Sequence, residues 1–311
     1  MKKKLVQVKS ASLSTDITTI NGISFITTVL FGVDEQFNKI KEVVDISQFK
    51  ERHTQININN YINNLKNNIL KDINIISCTS DGASNNLQLN KLFKIHMICL
   101  IHSLNNLIND LLKNIPLFYD VFIRINKLAR RQKMSSIEKN KLKELCETNK
   151  EKFCTVKTFS RIRFNSLSNT IESYLQMEKS LTTLYGTISD NEIEILKRVR
   201  MLFKAIEDSY SLLTNENEAS FPYIFPVLTF LKKEIDEIDD SEIIVQPSEA
   251  EEKIKLTDLG DFDDPEDEGV EYQIDQTIKS KFHSYSLSEI KQCLKENFEL
   301  RFNKLLKMMI F

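Results

Sequence analysis

The sequence predicts a mixed α/β fold followed by a helical region, and three observations lead to this prediction. The first third of the chain alternates β-prone apolar runs with one stretch of helical periodicity. One run with apolar residues on both faces, 73–79, is followed closely by an acid, Asp81, as expected for a strand in the middle of a parallel sheet. From about Lys113 onward, apolar residues recur at helical spacing instead.

Composition places the chain among intracellular globular proteins. With 311 residues, 41% hydrophobic and 28% charged, it is able to bury a substantial core. Its first residues lead into polar sequence, and no run reaches the roughly 18 apolar residues that a membrane helix needs. The five cysteines are odd in number and widely spread, which predicts reduced thiols. We therefore expect a nuclear or cytoplasmic protein that is neither secreted nor bound to a membrane.

Three strands and a helix are predicted at the start of the chain. The strands cover 5–13, 23–33 and 40–49, and the short polar turns between them suit antiparallel hairpins. The first strand would end at Ser14-Thr15-Asp16. A helix follows, with Thr54 as its cap. Its buried stripe is predicted from helical spacing: Ile58, Ile62, Leu65 and Ile69.

A fourth strand, a shorter fifth strand and a second helix complete the predicted sheet region. The fourth strand covers 73–79, and the fifth lies around Ile95. The helix begins near Cys99, and its apolar face consists of Leu100, Leu104, Leu107, Ile108 and Leu111. Its opposite face is polar and consists of Cys99, His102, Asn106 and Asp110. A polar stripe thus leaves the sheet beside Asp81.

This order of elements is the one that the ribonuclease-H-like fold uses. We therefore predict a ribonuclease-H-like mixed sheet with a large all-α insertion domain. In that fold the first and fourth strands are neighbours, so Asp16 and Asp81 would face each other across adjacent strand ends. Two carboxylates in this position suit the Mg²⁺ or Mn²⁺ ions of phosphoryl transfer. Considered separately, each aspartate is more typical of a turn or a helix cap.

Two motifs resemble those of hAT (hobo/Ac/Tam3) transposases. Thr-Ser-Asp-Gly-Ala-Ser-Asn-Asn at 79–86 resembles the segment of the family's second catalytic aspartate, and Cys-Leu-Ile-His at 99–102 resembles its Cys-x-x-His motif. The segment around Asp16 resembles that of the first aspartate. It departs from the family by lacking the tryptophan that usually follows two residues later, since the chain has none. The resemblance implies catalytic, metal-binding roles for Asp16 and Asp81.

The resemblance also implies residues that position DNA. Cys99 and His102 would do so beside the active site, and the segment 160–167 resembles the family's Arg-Trp-Asn-Ser motif through Arg163 and Phe164. Phe164 replaces a tryptophan that stacks on a displaced base, and an aromatic ring still provides about 1–3 kcal/mol per stacked base. A core position at the start of a helix explains Phe164 equally well.

The spacing of Cys99 and His102 also raises the question of a zinc site or a nucleophile pair. A structural zinc site is disfavoured because the chain has no second pair of ligands at such a spacing. A cysteine–histidine nucleophile is disfavoured because residues three apart on one helix align poorly and no orienting group is evident. A polar residue at the sheet's edge, without a specific function, is the remaining alternative to a role in binding DNA.

Four segments are predicted along the chain. They are a ribonuclease-H-like core (1–112), a helical insertion domain (113–233), an acidic flexible segment (234–275) and a C-terminal helix (276–311). The acidic segment contains 18 acids and two lysines, whereas the rest of the chain contains 40 bases and 26 acids. A basic cluster between Arg124 and Lys143 is suited to a nucleic-acid backbone. The helical and acidic regions are candidate surfaces for protein partners.

The sequence predicts a truncated or domesticated hAT-like transposase core that binds DNA without catalytic activity. The family's third carboxylate, BED zinc finger and dimerisation segment have no counterpart in it, and incomplete metal cages lose most of their rate. One alternative is a transposase-derived protein-interaction module that does not bind DNA. Another is an active Mg²⁺-dependent transposase or nuclease, completed by an acid such as Glu172 or Glu207. The oligomeric state is left open.

Overall fold

The computed structural model of the chain describes residues 8, 10–82, 89, 91–160, 166–214, 221–239, 243–245 and 284–309. Over these residues the protein is mixed α/β, as predicted. It divides into two compact units, Met1–Leu104 and Asn105–Phe311.

The first unit is built on a five-stranded sheet. In chain order its strands are β1 (Ser10–Ile20), β2 (Ile23–Val33), β3 (Lys39–Gln48), β4 (Asn74–Ser80) and β5 (Ile95–Ile98). They lie side by side in the order β3-β2-β1-β4-β5. The first three strands form antiparallel hairpins, and β4 is parallel to both β1 and β5. The hairpins, the parallel pairs and the adjacency of β1 and β4 confirm those sequence predictions.

The first hairpin carries β1 further than predicted. Asn21 and Gly22 form its turn with φ values of 50° and 74°, the left-handed conformation that tight hairpin turns require at both central residues. Pairing with β2 continues up to Ile20 opposite Ile23. The prediction that the strand ends at residues 14–16 is therefore wrong. A partner strand keeps the polar end of β1 extended, and Asp16 lies within the strand.

One helix, α1 (Gln55–Asn68), packs on the sheet. Thr54 caps it as predicted, since its side-chain oxygen accepts a hydrogen bond from the backbone N–H of Asn57 at 3.4 Å. Three members of the predicted stripe belong to the buried core of the sheet: Ile58, Ile62 and Leu65. Ile69 is exposed, contrary to prediction, because it follows the helix as its C-cap.

Gly32 in β2 allows the start of the chain to pack closely against the sheet. A Cβ atom at Gly32 would lie 2.6 Å from a Cγ atom of Val8 and 3.3 Å from the Ser10 carbonyl oxygen. We expect Gly32→Ala to lower the free energy of unfolding by about 1–3 kcal/mol, because the buried Val8 side chain must move. Urea denaturation measures this loss. In a Val8→Ala/Gly32→Ala double variant the loss should be smaller than the sum of the two single losses. Simple additivity would contradict the clash.

The second unit is helical in its described residues. α2 (Leu100–Asn114) begins in the first unit and continues into the second. The following helices are α3 (Pro116–Met134), α4 (Ser136–Asn149), α5 (Ser166–Leu175), α6 (Glu178–Tyr185), α7 (Asp190–Leu213), α8 (Phe221–Asp236) and α9 (Leu287–Met309). Two short strands, β6 (Ile244–Val245) and β7 (Tyr285–Ser286), pair antiparallel. Within the described ranges, no helix is long and apolar enough to cross a membrane.

The predicted acidic segment, 234–275, falls largely outside the described residues. Its first residues complete α8, and Ile244–Val245 forms β6, so these described parts have regular structure. The predicted apolar face of α2 is buried throughout, at Leu100, Leu104, Leu107, Ile108 and Leu111.

Arg124 was expected in a basic surface cluster, but it is buried. Its guanidinium donates hydrogen bonds to the carboxylates of Asp120 and Glu192 and to the carbonyl oxygen of Thr187. The side chains of Arg124 and Glu192 are only 12% and 4% exposed. Glu192 also accepts the backbone N–H of Ser189 at 2.8 Å, as part of the capping box that starts α7. Arg124 thus joins α3 to the start of α7 and is unavailable to a nucleic acid.

Candidate functional site

Asp16 and Asp81 lie at matching positions on neighbouring parallel strands. The β1–β4 ladder ends with Ser14 opposite Thr79. Asp16 follows Ser14 by two residues and Asp81 follows Thr79 by two residues, and adjacent strands are about 4.8 Å apart. Asp16 is exposed and Asp81 is half-buried. The structure therefore places the two predicted acids side by side, just beyond the end of the β1–β4 ladder.

Ser80 and His96 fix the backbone that carries Asp81. The Ser80 hydroxyl donates to the Asp81 carbonyl oxygen at 3.1 Å and lies 2.9 Å from Nε2 of His96. With its own proton directed at that carbonyl, the hydroxyl is left to accept Nε2–H. Burial lowers the pKa of His96 and so favours the neutral imidazole. The Ser80 carbonyl in turn accepts the Cys99 backbone N–H at 2.7 Å, which joins the end of β4 to the residue after β5.

Cys99 is positioned as the N-cap of α2. Its carbonyl oxygen accepts hydrogen bonds from the backbone N–H and the hydroxyl of Ser103, at 3.0 and 3.1 Å. Burial works against ionisation of the thiol. Hydrogen bonds from the His102 side chain and from the backbone N–H groups of His102 and Ile101 outweigh burial, so the pKa of Cys99 is lowered. The sulfur thus takes the place that a serine oxygen takes in an ordinary cap.

His102 connects Cys99 with the two aspartates. The imidazole is exposed in the first turn of α2. Its hydrogen bond with the Cys99 thiol raises the pKa of His102, burial opposes this, and the charges of Cys99, Asp16 and Asp81 raise the pKa further. His102 is consequently biased toward its cationic form next to two carboxylates. His102 thus lies within electrostatic reach of the three other predicted site residues, Cys99, Asp16 and Asp81.

The expectation that the Cys99 and His102 side chains align poorly as a nucleophile pair stays a prediction. That expectation treats both residues as part of one helix. An N-cap residue has an extended backbone, and its side chain turns back over the first helical turn, where the third helical residue lies. His102 occupies that third position after Cys99. Cys99 and His102 thus occupy the N-cap and third helical positions of α2, while the Cys99 N–H is bonded to the Ser80 carbonyl oxygen.

The two carboxylates provide the donor chemistry that a hard divalent cation prefers. Mg²⁺ is commonly bound by one or two carboxylates together with water and phosphate oxygens, which matches Asp16 and Asp81. Within the part of the chain that the structure describes, no group of three or more His, Cys, Asp or Glu side chains is arranged to hold a metal ion.

The remaining candidate residues have different outcomes. Arg163 and Phe164 lie outside the described residues, so their roles stay predictions. Glu172, considered as a completing acid, accepts a hydrogen bond from Arg200 at 2.8 Å. Glu207 accepts one from Lys204 at 3.1 Å. Both acids are thus engaged in ion pairs within the helical unit.

Sequence reasoning missed Ser80 and His96 as supporting residues. Their signal was present, since Ser80 follows the buried Cys78 by two residues on the same face of β4 and His96 stands between apolar residues in β5. The pairing of the two side chains depends on the parallel register of β4 and β5, which the sequence does not specify.

Comparisons with known proteins neither support nor oppose the resemblance. The sequence matches no protein-family model. It also has no significant match among curated proteins.

Proposed function

We propose that this chain is an hAT-like transposase core that binds DNA and cuts it slowly or not at all. The observation that supports the proposal best is that Asp16 and Asp81 each lie two residues beyond the last β1–β4 pair. His102 lies near them, and its raised pKa favours the cationic imidazole. DNA would lie across the sheet at the end of the β1–β4 ladder, beside these residues. In open α/β sheets, ligands bind at the carboxyl ends of parallel strands.

The strand order supports this proposal because it is more specific than a mixed α/β fold in general. Three antiparallel strands, a helix and two further strands parallel to the first give the order β3-β2-β1-β4-β5. A ribonuclease-H-like sheet uses this arrangement and places its first two acids on the first and fourth strands. Here those strands carry Asp16 and precede Asp81, respectively.

Each side chain has a defined part in the proposed site. Asp16 and Asp81 would hold Mg²⁺ or Mn²⁺, whose charge would offset that of a bound phosphate. His102 would donate a hydrogen bond to a phosphate oxygen, and Cys99 would orient its imidazole. Two carboxylates make a less complete cage than fast phosphoryl transfer requires, which is why we propose binding with little or no cleavage.

We expect Asp81→Asn to retain DNA binding. In metal-free buffer it should bind a plain duplex about threefold more tightly, because one charge that repels phosphate is removed. A gel shift of a 25-base-pair duplex at several salt concentrations measures this. Asp72→Asn is the matched control, since Asp72 is exposed and lies at the opposite end of β4. Its affinity should equal that of the native chain.

The same samples with Mg²⁺ or Mn²⁺ discriminate among the proposed functions. Binding that weakens steeply with salt, without nicking, supports the proposal. Nicking by the native chain that Asp81→Asn abolishes would establish an active nuclease and overturn the proposed lack of cleavage. If the native chain binds no duplex, the DNA-binding proposal fails.

Failure of DNA binding would favour a second candidate, a protein-interaction module. The observation behind it is the edge strand β3, on which Val43 and Ile46 are exposed apolar side chains. An edge strand with such side chains suits a partner that adds a strand to the sheet. A Val43→Lys/Ile46→Lys variant would then lose its protein partners, and retention of every partner would exclude this candidate.

A further inference from the structure

Helices α3 and α4 meet at a corner of one residue, Ser135, whose backbone is extended. Ser135 ends α3 by donating its N–H to the Arg131 carbonyl at 3.0 Å. It begins α4 by accepting the N–H of Glu138 on its side-chain oxygen at 3.2 Å. These bonds fix the positions of Met134, the last residue of α3, and Ile137, the second residue of α4.

Met134 and Ile137 present an apolar tip at this corner. Their exposed fractions are 69% and 67%. Single exposed apolar side chains are ordinary on protein surfaces. These two, however, stand on either side of one turn and within a strongly basic stretch. Residues 130–141 contain five cations and one acid.

The one acid of this stretch, Glu138, is already engaged. Its carboxylate accepts hydrogen bonds from the Arg131 guanidinium at 2.9 Å and from the Tyr185 hydroxyl at 3.2 Å. The Arg131 guanidinium also lies 5.4 Å from the centre of the Tyr185 ring. Lys133, Lys139 and Lys141 are exposed and lie within four residues of Met134 or Ile137 along the chain. The corner therefore consists of an apolar tip with a positive rim.

DNA is the partner whose chemistry suits both parts of the corner. Its phosphates match the rim, and methionine and isoleucine are among the side chains that wedge between base steps from the minor groove. Anionic lipid matches the charge, but two aliphatic side chains bury little area in a bilayer. We propose that the corner between α3 and α4 inserts Met134 and Ile137 into the minor groove and bends the duplex. This inference rests on the proposed DNA-binding function.

The test compares a double variant, Met134→Ser/Ile137→Ser, with the native chain. Affinity is measured by gel shift, and bending by energy transfer between dyes on the two ends of a 25-base-pair duplex. We expect about tenfold to hundredfold weaker binding, because two buried apolar contacts are lost, together with loss of the bend. The salt dependence should remain, since the lysines are unchanged. The matched control is Ile56→Ser/Met201→Ser, which replaces side chains that are 69% and 66% exposed elsewhere.

Each outcome separates this inference from the function on which it rests. If the double variant binds and bends DNA like the native chain, the wedge is excluded while DNA binding stands. If the native chain binds no duplex, the proposed function fails and the inference fails with it. The last measurement tests binding of the native chain to vesicles that contain phosphatidylserine. Capture of the native chain by these vesicles, lost in the double variant while DNA binding is unchanged, would assign the corner to membranes and overturn the proposal.

Discussion

Replacing Arg124 with alanine is expected to lower the free energy of unfolding by about 3–5 kcal/mol, the usual cost of removing one partner of a buried ion pair. The substitution leaves two carboxylates without their cation. Glu192 is 4% exposed and the Asp120 side chain 14%. The substitution also removes the hydrogen bonds that join α3 to the start of α7. A loss of this size is a large part of the stability of an ordinary domain.

Urea denaturation followed by circular dichroism measures this loss. Lys197→Ala is a suitable control, because Lys197 pairs with Glu178 at a site where the two side chains are 44% and 26% exposed. Exposed pairs contribute less than about 1 kcal/mol, so the control should unfold almost like the native chain. If Arg124→Ala were as mild as the control, the buried pair would not be an important link in this unit.

Cys99 is expected to react with iodoacetamide at least about a hundredfold faster than Cys78 at pH 7. Alkylation requires the thiolate, and the hydrogen bonds at the start of α2 lower the pKa of Cys99 despite its burial. Burial raises the pKa of Cys78 to about 12. Burial also raises the pKa of each of the other three thiols, Cys146, Cys154 and Cys293. Mass spectrometry of briefly alkylated protein measures all five rates in one sample.

The pH dependence of the Cys99 rate provides the second part of this test. Because the pKa is lowered, the rate should reach half its maximum at a lower pH than for an ordinary cysteine. In His102→Gln the imidazole is gone while burial remains, so that midpoint should rise and the rate at pH 7 should fall about tenfold. An unchanged profile in His102→Gln would show that the imidazole does not stabilise the thiolate. Cys99→Ser identifies the labelled residue.

Local patterns in the sequence predicted most of the sheet. The predicted limits of the second strand are those of β2, because the run 23–33 is β-prone and has turns at both ends. The end of β1 was missed because its last residues are polar and stay extended only through pairing with β2. The burial of Arg124 was missed for a related reason. Its partner Glu192 lies 68 residues further along the chain, and a buried arginine resembles its surface neighbours in sequence.

The candidate site was predictable in its residues but not in its contacts. The strand, the acid after it and the helical period marked Asp81, Cys99 and His102. The position of Cys99 relative to His102 depends on where α2 begins, and a shift of one residue changes which residue is the cap. The contact between Ser80 and His96 depends on strand register. Arg163 and Phe164 stay predictions.

The backbone hydrogen bond from Cys99 to Ser80 affects which mutations such a site tolerates. Main-chain hydrogen bonds and strand pairing set the positions of residues 16, 81, 99 and 102, whatever side chains they carry. Asp16 and His102 are exposed, so exchanging them disturbs little of the hydrophobic core. Selection for folding alone therefore places little constraint on them. Substitutions at these exposed positions are therefore able to accumulate while the strand pairing and the main-chain hydrogen bonds around them are kept.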